Sequence, residues 1–376
     1  MKIGVLGAGQ LGQMLALSGY PLSNRFSFFD TTGSPSAEIG ETLCDPSGDE
    51  LEDFLSRVDI VTYEFEHLPL DLVKRVAEHK PLFPGVEALR VCQNREAEKA
   101  LFDSLNIPVA AYRIVESAEQ LAEACQVLMQ QGAAAVVAKS ITEGYDGKGQ
   151  AVLRDPTEAK IAWQQIGHSR LIVEAFVDFI REVSIIAVRG REGDVAFYPL
   201  AENHHAEGIL RYSLAPLPDV SDEVQHQAEA YIHQLLDSLE YVGVLTLELF
   251  QCADGRLLAN EMAPRVHNSG HWTQNGSITS QFENHLRAIQ GLPLGSTKAI
   301  KPTCMINIIG QMGDTKDILA LEGVHLHLYG KSERPGRKLG HINVVADDLT
   351  SLMTQVRLAS QSLPNVPEPK FSCVDN

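Results

Sequence analysis

Val244-Leu-Thr-Leu-Glu-Leu-Phe250 and Arg256-Leu-Leu-Ala-Asn-Glu-Met262 are two apolar runs joined through Asp254-Gly255. Asp-Gly between such runs predicts two antiparallel strands and a two-residue hairpin turn. The register imposed by that turn places Glu248 directly opposite Glu261, with β-carbons about 5 Å apart on one sheet face. At an effective dielectric near 20, two carboxylates this close repel by roughly 3 kcal/mol. A hard divalent cation offsets that repulsion, and Mg²⁺ typically takes one or two carboxylates plus substrate phosphates. A shared proton or two splayed, solvated carboxylates are the alternatives. The flanking Leu245, Leu247, Leu249, Leu257 and Leu258 argue against free exposure. Strict alternation sends Asn260 to the opposite face, and a longer loop would shift the register by one.

The second run continues into Ala263-Pro264-Arg265-Val266-His267-Asn268-Ser269-Gly270-His271-Trp272-Thr273. Pro264 and Gly270 predict an irregular loop leaving a strand end, where sites are commonly built. A lone histidine is usually structural. Here an arginine, an imidazole and an amide crowd beside the carboxylate pair, which suits a small planar oxyanion.

Upstream, Gly144-Tyr-Asp-Gly-Lys-Gly-Gln150 lies between two predicted strands, and Lys139 ends the apolar run Ala134–Lys139. No G-K-[ST] leads into a helix, so this is not a P-loop. Three glycines give a flap whose amides can cover phosphates. The plainer reading is a hairpin beside a snorkelling lysine. At the start of the chain, Gly7-Ala-Gly-Gln-Leu-Gly12 follows a predicted strand at Lys2–Leu6 and opens a helix, with Asp30 ending the next strand. That is the dinucleotide fingerprint and supports a nicotinamide reading, although any phosphate-bearing ligand could use the same turn. Gln10 adds a side chain able to meet a polar ligand.

The whole sequence has 376 residues and a net charge of −18, with 49 acids against 31 Lys and Arg. Such a surface repels nucleic acid and anionic lipid, so neither is expected as a partner. Against that background Lys331-Ser-Glu-Arg-Pro-Gly-Arg-Lys338 packs four cations into eight residues. Such a run is usually a solvated turn, but here it can also catch a phosphate monoester. Six scattered cysteines without a C-x-x-C pair predict reduced thiols in a cytoplasm. No signal peptide or membrane span is expected.

Alternating strand and helix patterns in residues 1–94 predict a Rossmann-like, mostly parallel α/β domain. Asn94 reads as the cap of a helix with Ala97, Leu101 and Leu105 on one face. Residues 95–295 mix strands and helices, with a late helix over about Ser277–Ile289 that Gly291-Leu-Pro293 ends. Residues 296–362 form a small β-rich unit, and proline-rich 363–376 reads as a loose tail. The fold class is thus α/β and α+β in three parts.

Lys139, the Gly144–Gln150 flap, the Glu248/Glu261 pair and the string from Asn260 through Pro264-Arg-Val-His-Asn-Ser-Gly-His271 to Gln274 resemble the ATP-grasp ligases. Within them the chain is similar, from residue 1 to about 360, to the N5-carboxyaminoimidazole ribonucleotide synthetase family of purine biosynthesis. Arg334-Pro-Gly-Arg-Lys-Leu-Gly-His341 and the opening glycine turn match the same family. The resemblance implies a Rossmann-like first domain, an ATP-grasp middle with a mobile lid at about 110–173, and a small C-terminal domain. It implies ATP, Mg²⁺, bicarbonate and 5-aminoimidazole ribonucleotide as ligands, carboxyphosphate as the intermediate, and a cytoplasmic homodimer.

By the same resemblance, ATP contacts fall to Arg95, Lys139, Glu182 and His205, to Glu174, Ala175, Phe176 and Val177 around adenine, and to Asn260 and Glu261. The flap residues Gly144, Tyr145, Asp146, Gly147, Lys148, Gly149 and Gln150 cover the phosphates. Glu248 and Glu261 hold the metal. Gln10, Leu11, Tyr145, Asp146, Lys148, Arg265, Lys331, Arg334 and Arg337 receive the ribonucleotide. Asp146, Arg265, His267 and Asn268 are the implied catalytic residues, with Asp146 or His267 accepting the amine proton. Lys148 stands where some relatives carry Arg, which weakens the case for a bidentate contact there. Which of Arg334 and Arg337 grips the phosphate stays open. The competing readings are an NAD-dependent oxidoreductase, a formate-dependent glycinamide ribonucleotide transformylase and an inactive nucleotide-binding regulator. The transformylase family usually has Asp-Thr where this chain has Asn268-Ser269.

Overall fold

The computed structural model describes residues 1–45, 47, 49–142, 149–167, 170–367 and 369–372. The Lys2–Leu6 run forms β1, flanked in a parallel four-stranded sheet by β2 (Arg25–Asp30), β3 (Glu41–Cys44) and β4 (Ile60–Tyr63), in the order β3-β2-β1-β4. The strands β1, β2 and β4 are buried on both faces, whereas the edge strand β3 is mostly exposed. Gly4 lies where a β-carbon would come within 2.7 Å of the Phe54 ring, so the helix Leu51–Ser56 packs directly on the strand.

A second, antiparallel sheet holds β5 (Tyr112–Val115), β6 (Val136–Ser140), β7 (Gln150–Leu153) and β8 (Leu171–Ala175), ordered β5-β8-β6-β7. Helices Ala118–Gln130 and Ala159–Ile166 bury one of its faces. The third sheet holds, among the described residues, nine strands. They are β9 (Arg181–Arg189), β10 (Val195–Phe197), β11 (Ala201–Ala206), β12 (Ile209–Ala215), β13 (Gly243–Gln251), β14 (Leu257–Ala263), β15 (Thr303–Ile309), β16 (Val324–Leu328) and β17 (Lys338–Val345). Its path runs β14-β13-β9-β11-β12-β15-β17-β16, with β10 paired to β9. The segment beyond residue 296 therefore adds its strands to the central sheet through β12 and β15.

Three local expectations change. The helix opening at Asn94 is capped as expected, Asn94 accepting from Ala97 N–H at 3.0 Å, but it buries Glu98, Lys99 and Phe102. The later helix begins at Gln281 rather than Ser277, because Ser280 caps it by accepting from Glu283 N–H at 3.2 Å. The tail is anchored as far as Ser372: Leu363 and Phe371 are buried, and Ser372 donates through N–H and Oγ to Glu202, both at 2.8 Å. Phe371 packs edge-on against Tyr212, an apolar anchor invisible in a proline-rich composition.

Candidate active site

The hairpin reaches the expected pairing by an unexpected route. Cys252 N–H donates to Arg256 O at 2.9 Å, Gly255 N–H donates to Cys252 O at 3.0 Å, and Gly255 has φ +85°. The connection is thus the three-residue loop Ala253-Asp254-Gly255, closed by a left-handed glycine, and not a two-residue turn. Near the loop the register is displaced by one, so Leu249 faces Ala259. A β-bulge at Asn260 then absorbs one residue, and Glu248 faces Glu261 after all. Asn260, the residue left over, lines the pocket behind the pair instead of joining it.

Glu248 and Glu261 line one cavity with Arg95, His205, Arg265, His267 and Asn268. Burial, then the charge of Glu261, pushes the Glu248 carboxyl up to about 7. Burial works against charge on His205, but the carboxylate of Glu182 at 2.9 Å and the charges of Glu248 and Glu261 raise it to about 9. Two carboxylates set opposite each other, the charge of one raising the other, are a donor set that fits a hard divalent cation. Among the described residues no third His, Cys, Asp or Glu completes a metal-holding group, so other positions would fall to water or substrate oxygens.

The loop after β14 is held from beneath. Gln281 is fully buried, accepts from His267 N–H at 2.9 Å and donates to His267 O at 2.7 Å. Burial, then the nearby cations Arg265 and Lys338, keeps His267 well below the usual imidazole value, hence neutral at pH 7. Ser269 N–H donates to its Nδ1 at 3.3 Å, which places the proton on Nε2, 3.2 Å from Glu248 Oε1. Arg265 pairs with Glu66 at 2.8 Å. Both side-chain polar atoms of Asn268 are buried without a partner beside the same cavity.

Behind the carboxylates lies a second pocket lined by Lys139, Glu174, Ala175, Phe176, Val177 and Asn260. Glu174 sits between Lys139 at 2.5 Å and Lys99 at 2.7 Å. Burial would raise its carboxyl, but the two ammonium groups overcome that and hold it down at about 2. Arg95 donates to Ser140 O at 2.9 Å, at the root of the flap. Gly149, at φ +70°, and Gln150 open β7; Gly144, Tyr145, Asp146, Gly147 and Lys148 lie outside the described residues.

The opening glycine turn is closed to a pyrophosphate by the chain itself. Glu64, buried at the end of β4, accepts from Gly12 N–H at 2.6 Å and from Gly9 N–H. Asp30 is equally committed, accepting from Thr32 Oγ1 at 2.8 Å and Ser34 N–H at 3.2 Å. The dinucleotide reading loses both of its anchors. Beside this turn a cleft of about 530 Å³ is lined by Gln10, Leu11, Arg265, Lys331, Arg334, Arg337 and Lys338. Lys331 bonds Gln10 Oε1 across the two domains. Both Arg334 and Arg337 reach this cleft, and Arg337 also donates to Ser332 Oγ at 2.9 Å.

The sequence reading missed Glu64, Glu66, Glu98 and Lys99. The available signal was charge at buried helical spacing: Glu98 and Lys99 lie three or four residues before Phe102, the apolar residue of that face.

A pocket bearing Lys139 and Lys99, set between a four-stranded antiparallel sheet and a carboxylate-bearing hairpin, is the arrangement of an ATP-grasp domain. Residues 100–282 match the ATP-grasp domain family, residues 1–93 the ribonucleotide synthetase preATP-grasp domain, and residues 303–355 the phosphoribosylaminoimidazole carboxylase C-terminal domain. An N5-carboxyaminoimidazole ribonucleotide synthase from Pseudomonas aeruginosa is 44% identical over 95% of this chain and 98% of its own length. The crystal structure of the synthetase from Thermus thermophilus superposes with a TM-score of 0.91 at 45% identity, covering 97% of this chain and 99% of that one. The Aspergillus clavatus enzyme, crystallised with ADP and 5-aminoimidazole ribonucleotide, gives 0.87 at 30% identity over 96% and 98%. The chain belongs to the N5-carboxyaminoimidazole ribonucleotide synthase family.

Proposed function

We propose that this protein carboxylates 5-aminoimidazole ribonucleotide in purine biosynthesis, consuming ATP and bicarbonate and releasing ADP and phosphate. The observation that carries the reading is a shared wall. Gln10, Leu11, Arg265 and Lys338 line both the carboxylate cavity and the basic cleft. A phosphate monoester held by Lys331 and Arg337 would extend its other end toward His267, Asn268 and Glu248.

Bicarbonate is a poor acyl donor because its leaving group would be hydroxide. A bicarbonate oxygen attacks the γ-phosphorus, the bond to ADP breaks, and carboxyphosphate forms. Mg²⁺ held by Glu248 and Glu261 would neutralise charge developing on the phosphate oxygens. Lys139, Arg95 and His205⁺ orient the nucleotide phosphates, with Glu174–Val177 around adenine. Arg265, neutral His267 and Asn268 hold the bicarbonate oxygens. The substrate amine then bonds to the carbonyl carbon, phosphate leaves, and the amine proton passes to Asp146. Closure of the lid excludes water from the acyl phosphate.

Support for Mg²⁺ is the facing of the two carboxylates, the charge of Glu261 raising Glu248; support for bicarbonate is the unpartnered Asn268 amide beside Arg265. The same reading carries a cytoplasmic homodimer, which a monomer in sedimentation would refute. No helix among the described residues is long and apolar enough to cross a membrane. The decisive assay is phosphate release from ATP. Release should require both bicarbonate and the ribonucleotide, and Glu261→Ala should abolish it; indifference to the ribonucleotide overturns the substrate assignment.

A further inference from the structure

The bulge that sets the two carboxylates opposite each other lies on an edge strand, and its outer groups are not left to water. In a regular strand the outward amides recur at every second residue. On β14 they fall at Ala259 and Met262, three apart, because Asn260 is the extra residue. Ala259 N–H donates to Pro108 O at 2.7 Å. Met262 N–H donates to Glu98 Oε1 at 2.7 Å. Between them Lys99 Nζ donates to Asn260 O at 2.8 Å and reaches Ala259 O at 3.4 Å. Glu98 and Lys99 are neighbours on the helix Arg95–Ser104, and both are buried.

Burying two adjacent ionisable residues on one helical face is unfavourable unless each is bonded. Here the carboxyl takes the bulge's stranded amide, and the ammonium takes its stranded carbonyl in a charge-assisted bond. Lys99 also contacts Glu174, which Lys139 shares in the nucleotide pocket. We infer that Glu98 and Lys99 form a positioning clamp: they fix the Asn260 bulge, hence the register that brings Glu261 opposite Glu248, and Lys99 ties that register to the nucleotide pocket through Glu174. The purpose assigned to the clamp rests on the reading of Glu248 and Glu261 as a divalent-cation pair.

Mn²⁺ titrated into the full chain and followed by electron paramagnetic resonance reads the pair directly, without turnover. Glu98→Leu removes the acceptor for Met262 N–H. It should weaken Mn²⁺ binding at least about tenfold, in the range seen when groups supporting metal ligands are removed. Glu98→Gln keeps an acceptor oxygen and should bind within about twofold of the parent, an outcome that separates bond geometry from general destabilisation. Should Glu98→Leu fail to fold, Lys99→Met carries the same test at the Asn260 carbonyl. In the unaltered protein the Met262 amide should exchange with deuterium as slowly as the sheet interior; exchange at the rate of an open edge overturns the clamp. A parent whose Mn²⁺ binding survives Glu261→Gln refutes the cation pair and the clamp's purpose together. With that control passed, unchanged binding in folded Glu98→Leu or Lys99→Met overturns the clamp alone.

Discussion

Replacing Glu248 with glutamine should stabilise the metal-free protein while silencing it. The Glu248 carboxyl is held near 7, against an ordinary 4.5, chiefly by burial and then by Glu261. A carboxyl whose folded value is raised binds its proton more tightly when folded. Stability is therefore unaffected at low pH, declines as pH rises past 4.5, and stays reduced above about 7. At pH 8 the difference amounts to about 3 kcal/mol, and at pH 5 to just under about 1 kcal/mol. Glutamine carries no charge and still offers His267 Nε2–H an acceptor oxygen, so the bond at 3.2 Å survives the change.

The assay is urea unfolding in EDTA, followed by far-ultraviolet circular dichroism, at pH 5 and pH 8. Glu248→Gln should exceed the parent by about 3 kcal/mol at pH 8, the attraction to His205⁺ being already contained in the raised carboxyl, and by under about 1 kcal/mol at pH 5. Adding Mg²⁺ with ADP should stabilise the parent more than the variant, which loses the metal-dependent part of the gain. Equal stabilities at pH 8, or a variant weaker than its parent, would refute the idea that the two carboxylates oppose each other in the folded chain.

Two further outcomes test the neighbouring groups. His205 is raised to about 9, so its cation persists at neutral pH and its stabilising contribution is lost as pH rises through about 9. Calorimetric ADP affinity should fall several-fold between pH 8 and pH 10 in the parent but stay flat in His205→Gln, and a parallel fall in both removes His205 from the nucleotide site. Glu64→Ala strands the amides of Gly9 and Gly12 and should lower stability to urea by about 1–3 kcal/mol, without creating a nicotinamide site detectable by NADH fluorescence. Unchanged stability would mean that water serves those amides equally well.

The hairpin, the polar loop after it and the three-part order were legible because each is local in sequence. Alternating apolar residues mark β13 and β14, and Pro264 with Gly270 marks the loop. The pairing of Glu248 with Glu261 came out correctly from a turn that is not there: a longer loop and a compensating bulge cancel. Nothing within residues 244–262 announces that cancellation, because the partners of the bulge are Glu98 and Lys99, about 160 residues away. The glycine turn misled for the same kind of reason. Its signature describes amides that need an anion, and the anion is the side chain of Glu64, 52 residues beyond Gly12. The tail misled because one aromatic residue, Phe371, outweighs a run of prolines once a groove exists to receive it.

The acidic balance of the sequence takes on a local meaning in the site. Its cations already have partners in the chain: Lys139 and Lys99 share Glu174, Arg265 holds Glu66, His205 holds Glu182, and Lys331 holds Gln10. An incoming anion must therefore replace or join a partner already present, which at Lys331 and Arg337 is a neutral group. A monovalent anion gains little from such an exchange. A phosphate monoester, with about two charges and three acceptor oxygens at neutral pH, can bridge Lys331, Arg337 and Arg265 at once. The cleft thus stays locally positive within an acidic chain, and net charge alone describes only the field far from the surface.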